Sequence, residues 1–268
     1  MARSRFAAHR GGAALWPENS LAAFAGALDL GLDLLELDVH LSADGEPVVI
    51  HDATLERTTE GEGPVSASPA PVLRALRLRG PGGALTDERL PLLDDVLALA
   101  GPRGASLLVE MKGPGWSVRY GRRGRGLEVD PGPVYVGLEE RVLARLDVAG
   151  MTDRATVMAF NPAVLERVHA LAPGRRTTLL VSRQHVEQAG ARPTDTVEWA
   201  ARLGVTDLGL QHTLVDADVV GDAHARGLLL GAWTANDESA LRRLLALGVD
   251  LITTDRPDLA VTLREARG

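Results

Sequence analysis

The chain has 268 residues, enough for one or two domains, and α/β barrels commonly reach this length as one domain with an inserted segment. A formal net charge of -7 argues against general nucleic-acid binding, and the lack of cysteine excludes both a disulfide scaffold and a thiolate metal site. No apolar run reaches transmembrane length and the N-terminus has no apolar signal core, so a cytoplasmic protein is expected.

Residues 6–9 read as a short buried strand that ends at His9 and runs into the turn Arg10-Gly11-Gly12. Pro17-Glu18-Asn19-Ser20 opens a helix, with Leu21, Phe24, Ala25 and Leu28 on one face and Gly31 as a stop. Residues 34–40 read as a strand. Glu36 and Asp38 are two apart in it and therefore share a face. Two acids on the inward face of a buried strand are costly without a positive partner, and a divalent metal is the usual one. The next apolar run, residues 47–52, ends in His51-Asp52. From 53 to 90 the pattern breaks at Gly61, Gly63-Pro64, Pro69, Pro71 and Pro81-Gly82-Gly83, as an inserted excursion with little core of its own would. A helix over 92–100 and a strand over 106–112 follow. That strand ends in Glu110 and Lys112, which repeat the two-apart spacing. Residues 113–137 carry Arg119, Arg122, Arg123 and Arg125 among glycines and prolines, and read as a long loop or lid.

The second half alternates regularly. Strand candidates at 156–160, 177–181, 208–210, 228–233 and 251–254 are separated by helical patterns, three of which stop near Gly204, Gly227 and Gly248. Short continuous apolar runs between helices predict an α/β fold with a parallel sheet covered on both faces. A (β/α)8 TIM barrel needs eight strands and nine candidates are present, so one is an extra or a misread end. In such a barrel the carboxyl ends of the strands converge. They carry His9-Arg10, Glu36, Asp38, His51-Asp52, Glu110, Lys112 and Trp233 with Asn236 nearby. Three carboxylates make a hard oxygen site, favouring Ca2+ or Mg2+, with Mn2+ open. Lys112 balances that site or meets an anionic substrate. Two strand-end histidines suit proton transfer near neutral pH, and the set as a whole suits phosphoryl or phosphodiester chemistry. Asp52 can orient His51 only if the turn between them bends. His40, His169, His185, His212 and His224 are read as structural, with His212 nearest the mouth.

His9-Arg10-Gly11, Pro17-Glu18-Asn19-Ser20, Glu36-Leu37-Asp38-Val39, Asp44-Gly45, His51-Asp52, Leu55-Glu56-Arg57-Thr58-Thr59, Leu90-Pro91-Leu92-Leu93, Glu110-Met111-Lys112, Trp233-Thr234-Ala235-Asn236 and Thr254-Asp255-Arg256-Pro257 occur in this order. Together they resemble the glycerophosphodiester phosphodiesterase family. The resemblance implies a TIM barrel with a small insertion after the His51 strand, and a divalent metal held by Glu36, Asp38 and Glu110. It implies His9 and His51 as the acid–base pair, Arg10 and Lys112 at the phosphate, Glu18 and Asn19 shaping the site, and Trp233 beside the glycerol. The implied partner is a small-molecule glycerophosphodiester, cleaved to glycerol 3-phosphate and an alcohol. Attack by water and attack by the neighbouring glycerol hydroxyl both stay open. Relatives that act on lysophospholipids, lysophospholipase D-like, leave the substrate open too, and a non-catalytic phosphate-binding barrel is the third reading. Ser20 stands where the family usually has Thr, and the arginine-rich segment looks longer than usual. Arg119, Arg122, Arg123 and Arg125 are accordingly expected in a lid at the mouth. A homo-oligomer is neither indicated nor excluded.

Overall fold

A computed structural model describes residues 4–115, 118–123 and 126–266 of the chain. Eight parallel strands close into a barrel: β1 (Arg5–Ala8), β2 (Leu34–Leu41), β3 (Ser106–Met111), β4 (Ala155–Ala159), β5 (Thr177–Val181), β6 (Asp207–Gln211), β7 (Leu229–Trp233) and β8 (Leu251–Thr254). β1 pairs with β8 at Ala8–Thr254 and with β2 at Ala8–Leu35, which completes the circle. The outer layer comprises α1 (Leu21–Asp29), α2 (Leu93–Ala100), α3 (Leu138–Val148), α4 (Pro162–Leu171), α5 (Asp195–Leu203), α6 (Ala217–Ala225), α7 (Glu238–Leu247) and α8 (Pro257–Glu265). Local signals account for several helix starts. Ser20 accepts the Ala23 N–H at 3.0 Å before α1, and Asp237 accepts the Ala240 N–H at 2.9 Å before α7. Among the described residues, no helix is long and apolar enough to cross a membrane.

The extra strand candidate is the short run Pro47–Val49. It pairs antiparallel with the end of β2, Val39 opposite Val49, so it is a hairpin partner and not a stave of the barrel. Strand geometry stops at Val49, and His51 and Asp52 lie in bends. The stretch 53–90 holds a short helix, Ala70–Ala75, and an antiparallel pair, Arg77–Arg79 with Leu85–Arg89. Contrary to the sequence expectation, it also has a core of its own. Leu55, Val65, Leu73, Leu78 and Leu90 pack with Val48 and Ile50, although prolines and glycines hide any periodicity. The stretch 113–137 differs from a structureless loop as well. Arg119–Arg123 pairs antiparallel with Gly126–Asp130. Tyr120 is buried, stacks on His185 at 4.4 Å and donates its hydroxyl hydrogen to the Phe160 carbonyl at 2.6 Å.

Alternation along β2 divides its side chains between two environments. Leu35, Leu37, Val39 and Leu41 face the main core with the helices, packing with residues such as Phe24, Leu93 and Val96. Leu34 joins Ala7, Leu108, Met158 and Leu180 in a smaller cluster inside the barrel. Glu36, Asp38 and His40 follow Leu34 on that inner side and are buried.

The turn after β1 rests on Gly11. Its φ is +80°, and a Cβ there would lie 2.6 Å from the Ala23 Cβ of α1. Gly11→Ala combines left-handed strain with overpacking, and is expected to cost roughly 2–4 kcal/mol. Gly174→Ala is the control: its φ is +86° with nothing within 4 Å, so only the backbone cost of about 1 kcal/mol is expected. Urea unfolding of the two variants tests this. Equal losses would show that close approach to α1 does not matter.

Candidate active site

β2 and β3 are neighbours in parallel register, with Asp38 opposite Glu110 and Glu36 opposite Leu108. Residues opposite one another on parallel strands point to the same side, so the register delivers three carboxylates to one inner surface. Glu36, Asp38 and Glu110 are buried, and their ligand oxygens all lie within 4.8 Å of one another. Lys112 Nζ lies 2.8 Å from Asp38 Oδ1 and also pairs with Glu110. Arg10 Nε is 3.3 Å from Asp38 Oδ2, and the Arg10 backbone N–H donates to Glu36 Oε2 at 2.9 Å. Among the described residues, two permanent cations thus face three carboxylates. Burial and the Asp38 charge push Glu36 up to about 7. Burial also opposes the Asp38 charge, but Lys112 and Arg10 outweigh it and hold Asp38 well below the usual carboxylate range. The unbalanced negative charge and the all-oxygen donor set fit a divalent cation.

His9 follows β1 in the turn His9–Gly11. Its Nδ1 lies 2.6 Å from Asp255 Oδ1, while its Nε2 is 3.9 Å from Glu36 Oε2. Asp255 comes directly after β8, beside β1. Its backbone N–H donates to Asn236 Oδ1 at 2.8 Å, and the Asn236 amide donates back to its carboxylate. Despite burial, the hydrogen bond to His9 keeps the Asp255 carboxyl below its ordinary range. His51 has the same arrangement. The chain bends after Val49, and His51 Nδ1 meets Asp52 Oδ1 at 2.6 Å. An ionised carboxylate only accepts, so Nδ1 carries the hydrogen in both rings and Nε2 is left to face a reactant. His40 holds the His51 main chain. Burial pushes His40 down to about 4, so it is neutral. Its Nε2–H donates to the His51 carbonyl at 2.9 Å, and its Nδ1 accepts from the Tyr135 hydroxyl at 2.9 Å.

Two side chains complete the cradle from the loop before α1. Glu18 Oε1 accepts from Arg10 Nη1 at 3.0 Å. Asn19 Nδ2 donates to Asp38 Oδ2 at 2.9 Å, and Asn19 Oδ1 accepts the Asp38 backbone N–H at 3.3 Å. Trp233 closes β7, edge-on to Phe160 with ring centroids 5.4 Å apart, and its buried indole N–H has no hydrogen-bond partner among the described residues. A cavity of about 1250 Å³ opens here and continues down the barrel, with His9, Glu36, His51, Glu110, Lys112 and Trp233 among its lining.

The glycerophosphoryl diester phosphodiesterase family model matches residues 9–259. The chain belongs to that family. It is 30% identical over 259 residues to a glycerophosphodiester phosphodiesterase of Caldanaerobacter subterraneus subsp. tengcongensis, covering 96% of each chain. Its fold matches the crystal structure of an Agrobacterium tumefaciens protein assigned as a glycerophosphoryl diester phosphodiesterase, with a TM-score of 0.85, 28% identity and 99% of each chain covered. It also matches an Oleispira antarctica phosphodiesterase in complex with the product sn-glycerol-3-phosphate, with a TM-score of 0.75, 26% identity, and 97% of this chain and 96% of that one covered.

The ten family positions named from the sequence, His9, Arg10, Glu18, Asn19, Glu36, Asp38, His51, Glu110, Lys112 and Trp233, all gather at the carboxyl end of the barrel. Arg119 is exposed and is not among the residues lining the cavity. Arg122 and Arg123 fall in the hairpin strand; their side chains, and Arg125 altogether, lie outside the described residues. Sequence reasoning missed Asp255 as the partner of His9, and His40 with Tyr135 as supports of His51. The first had a usable signal, a carboxylate one residue past a strand end, as His9 is past β1. Tyr135 had none, being 95 positions from His40.

Lys112→Met removes one of the two permanent cations. In EDTA the variant is expected to lose about 3–5 kcal/mol of stability, the cost of an uncompensated buried charge. Excess Mg2+ or Ca2+ should restore most of it, because a bound cation stabilises the folded state. Thermal unfolding with and without the cation checks this, and equal losses in both conditions would contradict a cation site.

Proposed function

We propose that the protein is a metal-dependent phosphodiesterase that cleaves glycerophosphodiesters to glycerol 3-phosphate and an alcohol. One observation carries this reading. Two histidines, each with Nδ1 held by a carboxylate at 2.6 Å, line the same cavity as Glu36 and Glu110, which cluster with the fully buried Asp38. Glu36, Asp38 and Glu110 would hold the divalent cation, Ca2+ or Mg2+ with Mn2+ also suited to oxygen donors, and when bound it would polarise the phosphoryl oxygens. The remaining chemistry belongs to the chain. Lys112 and Arg10 add positive charge for the phosphoryl group. One of His9 and His51 takes the proton of the attacking oxygen at Nε2, and the other gives its Nε2 proton to the departing alkoxide. The attacking oxygen forms a bond to phosphorus as the bond to the alcohol oxygen breaks. Direct attack by water gives glycerol 3-phosphate in one step; attack by the adjacent glycerol hydroxyl would expel the alcohol and leave a cyclic phosphate, which water then opens to glycerol 3-phosphate with the same two proton carriers in exchanged roles. Asp255 and Asp52 fix the ring orientations. Glu18 and Asn19 hold Arg10 and Asp38 in place, and Trp233 offers an apolar face and its indole N–H, unpartnered among the described residues, to the glycerol portion.

A second reading, a lysophospholipase D-like enzyme, draws on the rim. Val134 lines the cavity with 46% of its surface exposed, and Val136 nearby is 95% exposed. Arg119 on the neighbouring hairpin would then meet the surface of a micelle or membrane.

His9→Ala and His51→Ala are each expected to lower turnover by about 10²–10⁴-fold with an unchanged circular dichroism spectrum. EDTA is expected to abolish turnover, with recovery on adding Ca2+ or Mg2+. Near-normal turnover in either variant would remove the acid–base assignment, and activity in EDTA would remove the metal. A substrate panel separates the two readings: hydrolysis of lysolipid micelles but not of soluble glycerophosphodiesters would favour the second.

A further inference from the structure

The segment Leu55-Glu56-Arg57-Thr58-Thr59 lies in the insertion and takes no part in the chemistry above. It is nevertheless built to present one side chain. The Thr59 backbone N–H and hydroxyl both donate to the Leu55 carbonyl, at 3.0 and 2.7 Å, and close the turn that carries Arg57. Thr59 is fully buried, whereas the Arg57 side chain is half-exposed. Arg57 is not among the residues lining the cavity, although Asp52 next to His51 is.

Two carboxylates share the Arg57 guanidinium. Nε donates to Asp52 Oδ2 at 2.6 Å and Nη2 to Asp52 Oδ1 at 3.0 Å. Nη1 donates to Glu18 Oε2 at 2.7 Å and Nη2 to Glu18 Oε1 at 2.8 Å. Each carboxylate has a second partner in the site: Asp52 Oδ1 meets His51 Nδ1, and Glu18 Oε1 meets Arg10 Nη1. Arg10 in turn contacts Glu36 and Asp38. An unbroken chain therefore runs from one proton carrier through Asp52, Arg57, Glu18 and Arg10 to the acidic cluster. Its central link needs a planar fork that grips two carboxylates at once, which a lysine ammonium cannot do. The Arg57 side chain is 47% exposed, so solvent screens its share of these ion pairs, whereas the groups they hold, Asp52 and Glu18, contact His51 and Arg10 in the site.

We propose that Arg57 is a positioning residue of the hydrolysis, which fixes His51 through Asp52 and Arg10 through Glu18. The inference rests on the acid–base reading of His51 given above. Small displacements of a reacting group cost large factors in rate, so the effect belongs in turnover and not in substrate affinity.

The test is steady-state kinetics on glycerophosphocholine with excess Mg2+ for Arg57→Lys, Arg57→Ala, Asp52→Asn, the Asp52→Asn/Arg57→Ala double variant and His51→Ala. Thermal unfolding of each monitors the folded fraction. Both Arg57 variants are expected to lose kcat by about tenfold or more, with KM within about threefold and a melting temperature near that of the wild type. Because Arg57 acts through Asp52, the double variant should lose at least about fivefold less than the product of the two single effects. The proposal is overturned if either Arg57 variant keeps kcat within about twofold of the wild type while His51→Ala is inactive. It is equally overturned if activity falls only in proportion to folded protein, or if the Asp52 and Arg57 effects simply multiply. An active His51→Ala would remove the underlying acid–base reading itself.

Discussion

Three buried carboxylates facing two permanent cations form the constraint on which the rest of the molecule depends. Such a cluster is unstable in isolation, since burial disfavours each charge and the charges repel one another. It is held in place by the other face of the same strand. Leu35, Leu37, Val39 and Leu41 lie in the main core against the helices, alternating with Glu36, Asp38 and His40 inside. A one-residue slip of β2 would turn the acids into that core and the leucines into the cavity. The apolar layer therefore enforces the register that brings Asp38 opposite Glu110. Packing between barrel and helices is the means by which the acidic cluster is assembled.

The two histidines past the strand ends obey a related logic. Each histidine sits just past a strand that belongs to, or pairs with, the barrel, and each is held at Nδ1 by a carboxylate. The carboxylates come from different sources. Asp255 follows β8, the barrel neighbour of β1, and Asn236 beyond β7 holds it from both ends. Asp52 is adjacent in sequence and reaches His51 because the chain leaves strand geometry after Val49. Equivalent local geometry is thus reached once by closure of the barrel and once by a bend. Additional contacts from His40 and from the insertion converge on the second solution.

Most of the barrel was legible in the sequence because helix and strand periods alternate cleanly after residue 155, with polar caps and glycine stops at the boundaries. The acidic pair on β2 was legible for the same reason, since spacing of two means one face. The 47–52 run misled in part: an apolar stretch looks alike whether it becomes a barrel stave or a hairpin partner, and only pairing with β2 decides. The insertion concealed its core because Leu55, Val65, Leu73, Leu78 and Leu90 follow no period. The arginine-rich stretch read as a loop because glycines and prolines dominate it, yet Tyr120 anchors a hairpin by stacking on His185, a contact across 65 positions that no local pattern encodes. Asp255 and Tyr135 are contacts of the same long-range kind, set by closure of the barrel and by packing.

The loop between β1 and α1 shows what the site exchanges for this arrangement. Arg10 and Asn19 both adopt left-handed backbone, with φ of 51° and 58°, although neither is glycine. Each such residue costs about 1–3 kcal/mol and persists only where its surroundings over-determine it. The surroundings here do so. The Asn19 N–H donates to the Arg10 carbonyl at 2.9 Å, the Arg10 N–H donates to Glu36, and Asn19 brackets Asp38 with both ends of its amide. Glycine at either position would relieve the backbone but remove the guanidinium beside Asp38 or the amide that holds it. The strain is therefore the physical consequence of placing a side chain and a main-chain N–H from the same residue against one acidic cluster. Gly11, next to Arg10, lets the same turn approach α1, since a Cβ there would lie 2.6 Å from the Ala23 Cβ.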